Sequence, residues 1–209
     1  LSHQSFRRTL FVDLLAWESV VLELKVVDKL IGRHRAQLLN YLFALDIAHG
    51  KLINFGRESV EHEFGNTSLT CTDRRKFLIE EAAWDRAAPG ARVFVETLCE
   101  LLADWGIGLD RRFYEAALVQ ILGREVMMPV EGAEGSPAGL QRVCLVQPGV
   151  AFRLTTFQSP PPQYGHHCRQ FVQRLSLDAC FWANLTLGKV TFQWYRRGAS
   201  LSRNSSFAD

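Results

Sequence analysis

Two apolar runs near the start of the chain have the composition of strands covered on both faces, yet each carries charge that such a strand ordinarily excludes. Val20 to Val27 is rich in β-branched residues but holds Glu23 and Lys25, and the run from Phe11 to Leu15 is interrupted by Asp13. Alternate residues of a strand share a face, so the Glu23 carboxylate and the Lys25 ammonium point the same way. A hairpin around Trp17 to Ser19 lays the two runs side by side and brings two carboxylates and a lysine together.

Taking such groups out of water is costly unless something compensates them. A divalent ion held by Asp13 and Glu23 would do so, with waters and phosphate oxygens completing the octahedral shell that magnesium prefers. Such an ion acidifies an attacking water and offsets charge on a scissile phosphate, and Lys25 fits beside it as a compact cation. A Glu-x-Lys pair in isolation is an ordinary ion pair on a solvated strand. The second acid and the segment that follows turn the reading toward a metal-dependent phosphodiester site.

From Arg33 to Asp46 the spacing predicts a helix, with Leu38, Leu42 and Leu45 as its apolar stripe. His34, Gln37 and Tyr41 stack along a neighbouring stripe, where they form either a substrate-binding row or an ordinary helix flank. A glycine stop and a short strand, Gly50 to Phe55, follow.

Asp13, Glu23-Leu24-Lys25, Gln37-Leu-Leu-Asn-Tyr41 and Gly50-Lys-Leu-Ile-Asn54-Phe55 together resemble the GxxExxY family of the PD-(D/E)XK nuclease superfamily, over roughly Arg8 to Gly56. The resemblance implies an α/β (α+β) restriction-endonuclease-like core of helix, three strands, helix and strand. It implies that Asp13 and Glu23 bind Mg2+, with Mn2+ as the alternative, and that Asp13, Glu23 and Lys25 form the catalytic set. Gln37 and Tyr41 look like the accessory helix motif of the RecB-like nuclease branch. The family helix that precedes the first strands has no counterpart before Asp13, so the first unit is expected to be truncated, with one sheet face uncovered.

At 209 residues and 47% hydrophobic, the chain has material for one sizeable core or two small ones. Its apolar runs are too short to span a bilayer and its start shows no signal-peptide pattern, so a cytoplasmic location without membrane contact is expected. Five scattered cysteines without a CxxC pair read as reduced thiols. The net charge of +2 leaves nucleic-acid binding to a local groove. Lys25, Lys29, Arg33 and Arg35 cluster near the candidate site, and Arg74, Arg75 and Lys76 read as a solvated basic face.

The second half repeats the order of elements. A helix over Val93 to Trp105 and the segment Gly108 to Leu118 lead into strands Glu125 to Val130, Gln141 to Val146 and Ala151 to Phe157. Gly165 to Gln170 then echoes Gly32 to Gln37, and Gly188 to Phe192 echoes Gly50 to Phe55. Tyr114 matches the family's signature tyrosine, but Arg111 stands where its glutamate belongs. No acid occupies Phe152 to Thr156, Val143 or Cys144 replaces the aspartate, and Arg174 replaces the tyrosine. These groups cannot hold a hard cation, so the second copy is expected to be degenerate and noncatalytic. His166, His167 and Cys168 point about 100° apart on a helix and cannot share one ion. Pro160 to Pro162 forms a stiff loop or a partner-binding segment.

The expected division is 1–86 and 91–198, with a break at Ala87 to Gly90 after a helix over Phe77 to Asp85, and a frayed serine-rich tail from Gly198. The function these readings favour is hydrolysis of phosphodiester bonds in DNA, or else RNA. A noncatalytic nucleic-acid or protein interaction module that keeps the nuclease fold is the alternative.

Overall fold

A computed structural model describes residues 1–81, 84–131 and 137–198. The serine-rich tail lies outside these residues apart from Gly198. The chain opens with a two-stranded ribbon, β1 (Ser2–His3) and β2 (Phe6–Arg7). A four-stranded sheet follows in spatial order, from β3 (Leu14–Ala16) and β4 (Val20–Lys25), then helix α1 (Gly32–Leu45), to β5 (His49–Asn54) and β6 (Glu61–Asn66). β3 and β4 are an antiparallel hairpin turned by Trp17 and Glu18 at positive φ, and β4 and β5 are parallel, joined by α1 as crossover. β5 and β6 are antiparallel.

A one-turn helix α2 (Cys71–Arg74) leads to β7 (Leu78–Glu81), α3 (Ala91–Trp105) and α4 (Arg111–Leu122). The rest is β8 (Arg124–Glu131), β9 (Pro137–Gln147), β10 (Val150–Thr155), α5 (Tyr164–Arg174), β11 (Ala179–Thr186) and β12 (Lys189–Arg196). The six strands order as β7-β12-β11-β10-β9-β8. α3 and α4 cover one face through Phe94, Leu98, Leu101 and Leu118, and α5 covers the other through Cys168, Phe171 and Val172. The four-stranded sheet has α1 on one face through Leu38 and Leu42. Its other face leaves Leu14, Leu24 and Phe64 exposed. The fold is thus mixed α/β, as expected.

Within the expected helix over Phe77 to Asp85, Leu78–Glu81 form instead the strand β7, which runs parallel to β12, and residues 82 and 83 lie outside the described residues. Tertiary pairing overrides the local pattern there, because β12 offers an open edge. Two consequences bear on the expected boundary. Residues before Ala87 complete the second sheet, and the N-terminal ribbon packs on α3 and α4, where Trp105 Nε1 donates to Ser2 O at 3.0 Å and Gln120 to Ser5 O at 2.9 Å.

The two sheets share a hydrogen-bond register. Leu22 pairs with Leu14 and Lys51, and Phe152 pairs with Cys144 and Phe181. Asn54 pairs with Lys25 and Glu61, and Asn184 with Thr155 and Thr191. Each such place recurs 130 positions later, as Leu22 to Phe152 and Asn54 to Asn184 show. Both crossover helices end on a left-handed residue, Asp46 (φ 54) and Ser176 (φ 50), and both are followed by a bond back into the last turn, Ile47 N to Leu42 O and Leu177 N to Val172 O. The echo of Gly50 to Phe55 in Gly188 to Phe192 is therefore displaced: the counterpart of β5 is β11, and Gly188 sits in the turn after it. The helix echo slips likewise, so Phe171 rather than Arg174 stands at the Tyr41 place, and Tyr164 at that of His34.

Arg75 and Lys76 are exposed, as a solvated basic face requires, but Arg74 departs from that expectation, for it is 1% exposed. Its guanidinium donates to Phe43 O at 2.7 Å, Trp105 O at 2.9 Å and Ile107 O at 3.3 Å, and stacks on the Phe43 ring at 4.4 Å. Phe43 and Trp105 lie in the last turns of α1 and α3, where unpaired carbonyls carry partial negative charge that a cation offsets. Gly106, at φ +71, passes so close that a Cβ there would meet Arg74 Cβ at 2.8 Å. Arg74 thus ties the four-stranded sheet's helix to the second unit.

Candidate functional site

Asp13 falls one residue beyond the last β3–β4 pair, Leu14 with Leu22, and so lies across from Glu23. One of its carboxylate oxygens accepts from Leu24 N at 2.8 Å. The strand expected to hold it begins only at Leu14, because the Asp13 side chain takes up a donor of β4 itself. Glu23 is 1% exposed and ion-paired to Lys25, while its second oxygen, Oε2, is buried without a hydrogen-bond partner. Burial raises its carboxyl above the ordinary value, the Lys25 bond and charge oppose this, and the nearby Asp13 carboxyl adds to the rise. The sequence-derived trio is therefore together in space.

Lys25 lines a cleft of about 620 Å³ with His34, Gln37 and Tyr41 of α1. The helix can present these residues here because it lies close on the sheet. Paired Gly50 and Gly65 sit directly under Leu38, where an added Cβ would approach its Cδ atoms to 2.8 and 2.7 Å. Gln37 Nε2 donates to Tyr41 Oη at 2.9 Å, so the two act as a unit and leave the tyrosine proton free to be donated elsewhere.

His34 is more committed than its position in the row implied. It is 5% exposed, and its Nδ1 accepts from Ile31 N at 3.2 Å, closing the first turn of α1. Burial first, and the cations Arg33, Lys25 and Arg35 next, lower its pKa, so the ring is neutral at pH 7. Both ring nitrogens face donors of their own turn, Nε2 lying 3.3 Å from Arg33 Nε, so the ring is engaged within the first turn of α1.

Of the expected basic cluster, Arg33 and Lys25 line the cleft, whereas Arg35 pairs with Glu63 at 2.7 Å on β6. Two cations that sequence reasoning missed complete the wall: Arg8, stacked on Phe113 at 5.0 Å, and Arg112, bound by both oxygens of Asp110. They come from the N-terminal ribbon and from α4, so no periodicity around Glu23 could signal them. Asn40 joins the walls by accepting from Asp110 N at 2.6 Å.

One further residue organises the site. Asn54, fully buried, accepts from Val27 N at 3.0 Å and donates to Val27 O at 2.8 Å, clamping the chain just after Lys25. Asn184 clamps Phe157 through the same two bonds, each at 2.9 Å.

In the second sheet the corresponding places carry different chemistry. Val143 stands at the Asp13 place, Arg153 at that of Glu23 and Thr155 at that of Lys25. His166 and His167 are exposed while Cys168 is buried, so the three diverge. Among the described residues no group of three or more His, Cys, Asp or Glu forms a metal cage, and no helix is long and apolar enough to cross a membrane.

Residues 1–66 match the family model of the PD-(D/E)XK nuclease superfamily, which covers about a third of the chain and contains Asp13, Glu23, Lys25, His34, Gln37 and Tyr41. No curated protein and no solved structure matches.

Proposed function

We propose that this protein is a metal-dependent nuclease that hydrolyses phosphodiester bonds, in DNA before RNA. One observation carries the reading: a buried glutamate with an unmatched oxygen, facing a second carboxylate and paired to a lysine, beside a cleft walled by Arg8, Arg33 and Arg112. The match of residues 1–66 to a nuclease superfamily supports it. The order of Asp13, Glu23, Lys25, Gln37 and Tyr41 favours the GxxExxY group within that superfamily.

The donor set fits magnesium, or manganese, since such ions take one or two carboxylates from a protein and fill the remaining positions with water and phosphate oxygens. Asp13 and Glu23 would hold the ion, which when bound supplies an acidified water and charge neutralisation at the phosphate. Lys25 supplies a compact cation where negative charge builds, or orients the attacking water. Tyr41, held by Gln37, donates its hydroxyl proton to a phosphate or base, while His34 closes the first turn of the helix that carries them and lines the same cleft. The arginines position the strand by its backbone, which carries no sequence information. Residues 91–198 read as a second, noncatalytic nuclease-like unit, since the register of the first recurs over 143–196 without its acids.

Incubating the full chain with single- and double-stranded DNA and with RNA, in Mg2+ or in a chelator, tests this. Cleavage is expected only with the metal, and Lys25→Ala should slow it by about 10²- to 10³-fold. Binding without cleavage would assign the noncatalytic interaction module, and neither binding nor cleavage would overturn both readings.

A further inference from the structure

The β9–β10 ladder ends at Cys144 and Phe152, although both strands run on, and a cavity of about 430 Å³ opens where they part. Arg153 and Tyr164 line it, at the places of Glu23 and His34. Each carries an unmatched polar atom, for Arg153 Nη1 and Tyr164 Oη are buried without a hydrogen-bond partner. The guanidinium lies over the Phe171 ring at 4.8 Å, which fixes its plane.

The charges around the cavity do not cancel. Arg111 is paired with Glu115, and Arg142 with Glu125 at 2.5 Å. No carboxylate among the described residues pairs with Arg153. Arg153 is half-buried with its Nη1 out of reach of water, and an anion entering through the cavity would supply the counter-charge and the acceptor that Nη1 lacks. Where the first sheet presents carboxylates to a cation, the second presents a guanidinium to an anion.

We propose that this cavity binds the phosphate group of a nucleotide, free or at the end of a strand, with the Arg153 guanidinium and the Tyr164 hydroxyl as donors. A phosphate offers several acceptor oxygens in different directions, which suits two donors arriving from a strand and a helix. The cavity exceeds a bare phosphate in size and is flanked by Phe157 and Tyr164, packed edge to face at 5.1 Å, whose rings suit a base. The proposal is independent of the metal site, because none of its residues belongs to residues 1–66.

Calorimetric titration of the full chain in a chelator, with a nucleoside 5′-monophosphate, the same nucleoside, inorganic phosphate, and a short oligonucleotide with or without a 5′-phosphate, tests it. The monophosphate should bind at least tenfold more tightly than the nucleoside. Preference for the phosphorylated oligonucleotide would identify a strand end as the source, and preference for the mononucleotide a free one. Arg153→Met keeps the packing on Phe171 and should weaken binding at least tenfold while leaving the unfolding midpoint unchanged or higher. Tyr164→Phe should weaken it severalfold, and provides the test should Arg153→Met fail to fold. Binding unaffected by both substitutions, or none at millimolar monophosphate, would overturn the proposal.

Discussion

The β4–β5 and β10–β11 regions differ in charge where they agree in backbone. Asn54 and Asn184 make the same clamp in the same register, yet the strand beside one carries Glu23 and Lys25 and the strand beside the other carries Arg153 and Thr155. Their surroundings differ too. The second sheet has helices on both faces, whereas among the described residues the first has only α1 and leaves Leu24 and Phe64 exposed. Backbone pairing is satisfied by main-chain groups common to every residue, so side chains projecting from it can change sign while the ladder stays intact.

Arg74 offers the severest way to break the comparison, because it treats the two sheets as parts of one body. Arg74→Met leaves three buried carbonyls without a donor and removes the cation at two helix ends. A loss of about 3–5 kcal/mol is expected, from the cost of disrupting a buried charged cluster. Denaturant unfolding should then show the first sheet melting ahead of the second. An unchanged midpoint with one transition would mean that apolar contacts alone join them.

Equivalence of the two clamps can be sharpened by a matched pair of substitutions. Asn54→Ala and Asn184→Ala each strand a buried backbone N–H and C=O, and each should cost about 1–3 kcal/mol. Costs that differ severalfold would show the shared register to be geometric only, with the strain carried differently in each sheet.

The smallest effect concerns charge at Glu23. Its carboxyl titrates above the ordinary value, so the folded chain holds a proton there that the unfolded chain releases. This contributes stability below about pH 4.5 that is lost as pH rises through the raised value. Added Mg2+ should offset the loss at pH 7 to 8, raising the midpoint by about 3 °C at a tenfold excess over its Kd. Glu23→Gln should abolish both the pH slope and the metal shift. A metal shift that survives Glu23→Gln would place the ion elsewhere.

Much of the first unit was legible from residue order, because its signals are local. Alternation marked β4, a 3.6-residue stripe marked α1, and glycine marked the approach to β5; the trio Asp13, Glu23 and Lys25 followed from two strands and a hairpin. Tyr41 and Gln37 followed from helical spacing, while the capping role of His34 did not, since it depends on where Ile31 N points. The repeated order of elements was visible as well, but its alignment slipped by one element at Gly188, where a glycine resemblance outweighed strand pairing that no local pattern encodes.

What the sequence by itself determined is the elements around the candidate site and the chemistry placed on each, since periodicity and residue type are properties of neighbours along the chain. Only the tertiary structure decided that β7 joins the far sheet, that Arg74 is buried between helix ends, and that Arg8 and Arg112 wall the cleft. Each of those outcomes depends on groups brought together across the fold, where an open strand edge or an unpaired carbonyl exists only once the partner element has formed.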